Sequence, residues 1–184
     1  MLRLVTTTYL EMTDRSQLRP AAPGPPGYEV VRARIPCPEL NRFLYTAVGA
    51  GWWWYTRLGW DYDRWLRYLD RPALQTWIAY LTGTPAGYFE LERQDGGDVE
   101  LAYFGLLPRF IGRGLGGALL GAAISRAWEM DAARVWVHTC SLDHHRALPN
   151  YQARGFRVFR IEEKPEELPD APLEAWPGAN HPSG

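Results

Sequence analysis

The sequence predicts a single-domain α/β fold: a central mixed β-sheet of about six to seven strands, flanked by helices on both faces. Three observations carry this. The chain has 184 residues, 46% hydrophobic and 22% charged, the size and balance of one globular domain with its own core. Hairpin-linked strand patterns come first and strand–helix crossovers later, which puts antiparallel and parallel pairing into one sheet. A glycine-dense junction joins an alternating segment to a helical one.

Taken in order, residues 1–27 hold a weakly alternating strand (2–12) and a Pro-rich linker that offers few amide donors. The domain proper is read as residues 28–161. Residues 28–35 set Val30, Arg32 and Arg34 against Val31, Ala33 and Ile35, a strand signal. Pro38 opens a short helix through Ala47, and Asp61 or Asp63 caps a second over 61–69. Strands follow at 74–81, 87–93 and 99–107, separated by turns at 82–85 and at Asp95, Gly96 and Gly97. Leu115, Ala118, Leu119, Ala122, Ala123 and Ala127 fall at helical spacing, so 114–130 is a helix. A strand at 134–140, a helix at 144–154 with Pro149 as an irregularity, and a strand at 156–161 complete the domain. Residues 162–184 read as a Pro-rich acidic tail on the surface or without order.

A net charge of −1 argues against a nucleic-acid binder, which needs a basic face. No apolar run suits a membrane span or a secretory signal, so no membrane partner and a cytoplasmic location are expected. Two cysteines, Cys37 and Cys140, make no disulfide framework.

The most informative segment is Gly112, Arg113, Gly114, Leu115, Gly116 and Gly117, between a strand and a helix. Glycines there bring bare amides close to a ligand, and a helix start adds unpaired N–H groups and a positive dipole end. That is an anion site suited to phosphate or pyrophosphate, with Arg109 and Arg113 as side-chain contacts; the plain alternative is a glycine-rich turn with nothing bound. The spacing matches G-x-G-x-x-G, but Val137 and His138 stand where a dinucleotide site wants an acid, and no Lys-Ser/Thr follows as in a P-loop.

Residues 111–116 resemble motif A, R/Q-x-x-G-x-G/A, of the GNAT superfamily of acyl-CoA-dependent N-acyltransferases. Residues 144–156, with Ala147, Tyr151, Gly155 and Phe156, are similar to its N-x-x-A-x-x-x-Y-x-x-x-G-F signature. The resemblance covers roughly residues 28–161. Ile111 and His144 depart from the usual Arg/Gln and Asn. It implies acetyl-CoA as co-substrate, its pantetheine arm along Phe104, Gly105, Leu106 and Leu107. Its pyrophosphate would lie on Gly112, Arg113, Gly114, Leu115, Gly116 and Gly117, with His144 and Tyr151 also in contact. It implies Tyr151 as general acid and the Leu106 amide as oxyanion donor. A phenol is near enough to a thiol in pKa (about 10 against about 8.5) for that transfer.

For the base, Glu100 comes first and Glu90 second; each reads equally as a solvated strand residue. His138, Cys140, Asp143, His144 and His145 have metal-ligand chemistry but no metal spacing, and no metal is expected. A Cys140–histidine nucleophile pair ranks low, since the resembled family transfers the acyl group directly. The expected function is N-acetyl (or short acyl) transfer to a primary amine in a ternary complex. The alternatives are a non-catalytic acyl-CoA-binding module and, third, a nucleotide-binding domain. Trp52, Trp53, Trp54, Tyr55, Trp60, Tyr62 and Trp65 form either an apolar, aromatic acceptor pocket or plain packing, including a homodimer contact.

Overall fold

The computed structural model describes residues 1–173. Seven strands make one sheet: β1 (Leu2–Met12), β2 (Tyr28–Ala33), β3 (Leu74–Leu81), β4 (Thr84–Arg93), β5 (Asp98–Leu106), β6 (Arg134–Cys140) and β7 (Arg157–Glu167). Their spatial order is β2-β3-β4-β5-β6-β1-β7. Only β5 and β6 pair in parallel, as the long helical crossover between them requires. Helices α1 (Pro38–Gly49) and α2 (Tyr62–Leu69) cover one face; α3 (Leu115–Trp128) and α4 (Ala147–Ala153) cover the other. The strand period of two divides the core between them. Ile78 and Tyr88 pack under α1 with Leu44 and Val48, while their neighbours Ala79 and Phe89 pack under α3 with Leu119, Leu120 and Ile124.

Several boundaries differ from the sequence reading, each for a physical reason. Leu81 pairs with Thr84, so the first turn is only Thr82 and Gly83, and Thr84 and Pro85 belong to β4. Helix α4 starts at Ala147; residues 144–146 form a turn in which the Arg146 amide donates to His144 Nδ1 (3.0 Å). Pro149 therefore falls in the first turn, where its missing N–H has no intrahelical acceptor to lose.

The largest difference is at the chain ends. β1 lies inside the sheet, between β6 and β7, and β7 runs on to Glu167 instead of stopping at Ile161. Residues 162–167 pair with Leu2–Thr7 although they carry four acids and a proline. An edge strand tolerates both, because one side of its backbone faces water. Glu162 and Glu163 also accept from Tyr9 OH (3.2 Å) and Thr6 Oγ1 (3.1 Å). Residues 174–184 of the expected tail lie outside the described residues.

The irregular segment between α1 and α2 is organised by one buried charge. The Arg57 side chain is 9% exposed and pairs with Glu90, 0% exposed, at 2.9 Å. The other donors to Glu90 are Tyr68 OH (2.8 Å) and Asn41 Nδ2 (3.0 Å). The guanidinium lies 3.9 Å from the Tyr68 ring centroid, 4.1 Å from Tyr103 and 5.0 Å from Trp60. Removing the arginine leaves a carboxylate buried without its cation. Arg57→Leu is expected to lower unfolding free energy by about 3–5 kcal/mol in urea titrations, and the Arg57→Leu, Glu90→Leu double variant to recover much of it. A loss below about 1 kcal/mol in the single variant would mean that water screens the pair.

Candidate active site

The site begins where two strands part. β5 pairs with β6 at only three positions, Asp98 with Arg134, Val99 with Val135 and Glu100 with Trp136. Just beyond, a bulge places Ala102 between Leu101 and Tyr103 without a partner on β4. From there β5 stays with β4 and β6 stays with β1, leaving a gap between them.

Leu107 donates its amide to Ala86 O (2.9 Å). Strand alternation then turns Leu107 and Gly105 toward β4, and the N–H and C=O of Leu106 and Phe104 toward the gap. Of the four residues expected to offer backbone groups to a pantetheine arm, Phe104 and Leu106 turn theirs toward the gap. The other two spend theirs on the sheet.

A cavity of about 1290 Å³ occupies the gap. The sequence-singled residues Glu100, Phe104, Gly105, Leu106, Gly112, Gly114, Gly116, Gly117, His144 and Tyr151 all line it. Leu107, Arg113 and Leu115 do not. Leu115 is fully buried against Ala86 and Phe110, and Arg113 lies over the Phe110 ring at 5.9 Å.

Gly112 (φ 82°) and Gly114 (φ 78°) adopt the left-handed conformation, and a Cβ on either would meet no atom within 4 Å. Backbone shape, not crowding, demands glycine there, and the loop's amides stay open to a ligand. Gly114 caps α3, so the first helical amides have no partner within the helix. Asn150, which sequence reasoning passed over, ties α4 to this end: its Nδ2 donates to Gly116 O (3.3 Å).

Tyr151 is buried beneath the cavity, with its ring 6.0 Å from that of Phe104. Burial, reinforced by the Asp143 charge, pushes its phenol well above the usual range, so the group stays protonated. Cys140, at the far end of β6, lines the same cavity; burial and then Asp143 push its thiol up to about 11. A thiol so shifted is a poor nucleophile at neutral pH. Burial and the neighbouring His145 and Arg146 charges lower His144, whose ring meets Trp52 at 5.0 Å across the cavity mouth. Among the described residues, no three His, Cys, Asp or Glu side chains converge as metal ligands.

The two base candidates separate. Glu90 is neither solvated nor in the cavity: its oxygens are occupied by Arg57, Tyr68 and Asn41. Glu100 is in the cavity. The tryptophans divide as well. Trp54 packs on Tyr45 (5.6 Å) and Tyr103 (4.8 Å), and Trp60 packs on Trp65 (5.2 Å). Trp54 also lines the cavity, together with Trp52, Trp53 and Tyr55, whereas Trp60, Tyr62 and Trp65 do not. Glu166, contributed by the unforeseen length of β7, lines it too, and after burial its charge is the next cause raising the Tyr55 phenol.

Comparison with known proteins bears on the family and the fold. The acetyltransferase (GNAT) family model matches residues 38–156. An uncharacterized N-acetyltransferase of Mycobacterium bovis is 34% identical over 95 residues, 52% of this chain and 60% of that protein. The match thus spans about 60% of the length of this curated relative. Similar folds occur in the GCN5-related N-acetyltransferases of Sphaerobacter thermophilus and Kribbella flavida. The first has a TM-score of 0.64 at 20% identity, covering 89% of this chain and 53% of that one. The second has 0.61 at 16%, covering 85% and 56%. At these identities the likeness is one of fold. No helix among the described residues is long and apolar enough to cross a membrane. With the family model matched over the strands, loop and helix that form the cavity, the chain belongs to the acetyltransferase (GNAT) family.

Proposed function

We propose that the protein moves an acetyl or short acyl group from acetyl-CoA to a primary amine by direct attack in a ternary complex. The observation that carries this is the junction of three parts in one cavity: an open amide loop at the start of α3, a free strand edge at Phe104 and Leu106, and a buried protonated phenol at Tyr151. The first suits a pyrophosphate, the second a pantetheine arm, the third a departing sulfur.

In this reading the amine nitrogen attacks the thioester carbon and a C–N bond forms. The Leu106 N–H supports the developing oxyanion. The C–S bond breaks, and the thiolate takes the Tyr151 proton. The ammonium gives up one proton to water before attack, a second passes to the Glu100 corner of the cavity as the C–N bond forms, and exchange with water then returns a proton to the Tyr151 phenolate while that corner releases its own. The phenol's raised pKa makes it a weaker acid toward the thiolate, a cost offset in part because burial raises a thiol in the same cavity as well, as it does Cys140. With Cys140 held as a thiol, a covalent acyl-cysteine step is not used.

The acceptor wall supports an amine with an apolar or aromatic body. Trp52, Trp53 and Tyr55 offer rings, and Glu100 and Glu166 offer negative charge to an incoming ammonium. Acetyl-CoA and two free thiols, Cys37 and Cys140, fit a reducing cytoplasmic setting.

Acetyl-CoA or CoA at 100 times its Kd is expected to stabilise the fold by about 2.7 kcal/mol in thermal unfolding, with no response to NAD or ATP. Stabilisation by NAD or ATP instead would favour a nucleotide-binding domain. Gly114→Ala strains the left-handed residue by about 1–2 kcal/mol and is expected to weaken CoA binding about tenfold by calorimetry; unchanged binding would remove the loop from the site. Tyr151→Phe is expected to keep CoA affinity and lower kcat by about 10²-fold in a thiol-release assay. Equal turnover in that variant would end the general-acid role. CoA binding by the wild type without turnover of any amine would point to a binding module.

A further inference from the structure

We propose that His138 is the catalytic base, taking the amine proton on Nε2, and that Glu100 acts through it as a positioning residue. This rests on the acyl-transfer reading above and assigns the proton path on the acceptor side.

His138 is the first β6 residue on the Glu100 side of the sheet beyond the last β5–β6 ladder pair, so it stands at the mouth of the gap. Both side chains line the cavity, and His138 Nδ1 lies 3.3 Å from Glu100 Oε1. This is looser than a formed hydrogen bond, as such contacts commonly are before substrate enters. The other Glu100 oxygen accepts from Gln94 Nε2 (2.8 Å), and Gln94 Oε1 accepts from Trp136 Nε1 (3.0 Å).

The polarity of this relay is set by chemistry. An indole N–H only donates, so Gln94 must present its oxygen to Trp136 and its NH₂ to Glu100. An ionised carboxylate only accepts, so the hydrogen toward Glu100 must sit on His138 Nδ1. The neutral ring then carries its lone pair on Nε2, which has no hydrogen-bond partner among the described residues. This is the arrangement of a base oriented by a carboxylate.

Exposure assigns the roles the same way. The His138 side chain is 45% exposed and that of Glu100 14%, with one carboxylate oxygen held by Gln94 and the other beside His138 Nδ1. Tyr9 and Trp136 flank the imidazole at 5.9 and 6.1 Å between ring centroids and restrict its rotation. In the step itself, the amine N–H bond breaks as the C–N bond forms and Nε2 gains that proton. Glu100 stabilises the imidazolium without taking the proton. Imidazole is suited to this because its ordinary pKa is the one nearest neutrality among side chains.

The test uses the whole chain with acetyl-CoA and a panel of primary amines: 2-phenylethylamine, tryptamine, putrescine and glycine methyl ester. Thiol release is followed beside acetyl-CoA affinity by calorimetry. His138→Gln is expected to lower kcat about 10²-fold at unchanged acetyl-CoA affinity. Glu100→Gln is expected to lower it about tenfold, and the double variant to be no slower than His138→Gln alone, since the two act as one unit. Nitrogen-15 NMR of labelled histidine at pH 8 is expected to show the Nδ1–H tautomer in the wild type and its loss in Glu100→Gln. Wild-type turnover that His138→Gln retains within threefold, or an Nε2–H tautomer in the wild type, overturns the base assignment alone. No turnover of the panel by wild type that binds acetyl-CoA overturns the acyl-transfer reading, and the base assignment with it.

Discussion

Three ladder pairs join β5 to β6, and then the strands separate; the rest of the site follows from that interruption. A sheet that stayed zipped would use every backbone group of Phe104 and Leu106 internally. Ala102, the bulged residue, redirects β5 just as the ladder ends. The crossover that a parallel pair requires is α3, and it starts beside the same gap. One local loss of pairing therefore brings together an unpaired strand edge, a helix start and a cavity of about 1290 Å³.

The two sides of the cavity are built from different materials. The glycine-loop side is mostly backbone: amides at Gly112, Gly114 and the first turn of α3, held in place by Asn150. Backbone sites need few particular side chains, which is why Ile111 and His144 can depart from the family's motifs without closing the loop. The other side, where we propose the amine enters, is made of side chains on four separate segments: the aromatic loop before α2, and strands β5, β6 and β7. Its wall includes Arg57, whose charge is answered by Glu90 and whose face is covered by Tyr68 and Tyr103. A buried ion pair gives little net stability of its own, yet removing either partner alone is costly because the other is left buried and uncompensated.

This division decides how much was legible in the sequence. The sheet-and-helix order was readable because its signals are local: alternation in residues 74–81 and 134–140, helical spacing after Leu115, and glycines between. The loop was readable for the same reason, and Tyr151 through the resemblance that its segment carries. What stayed hidden depends on distant partners. Arg57 and Glu90 are 33 residues apart, and a lone arginine in a loop looks solvated. Residues 162–167 look like a tail by composition, and only their pairing with β1 makes them a strand that delivers Glu166. Trp136, Gln94, Glu100 and His138 become a relay only when a turn, β5 and β6 are folded side by side.

The place of β1 has a consequence for how the chain is made. Its neighbours are β6 and β7, and the amino group of Met1 donates to Leu168 O (2.7 Å), 167 positions away. During synthesis at roughly 5–20 residues per second, the first strand therefore waits on the order of 10 s for its partners. Throughout that interval Val5, Leu10 and Met12, which the finished fold buries, have no sheet to receive them. Such long-range closure slows folding and leaves a strand edge open to other chains. β1 can be placed only once β6 and β7 are available, so its two edges are among the last in this sheet to be covered.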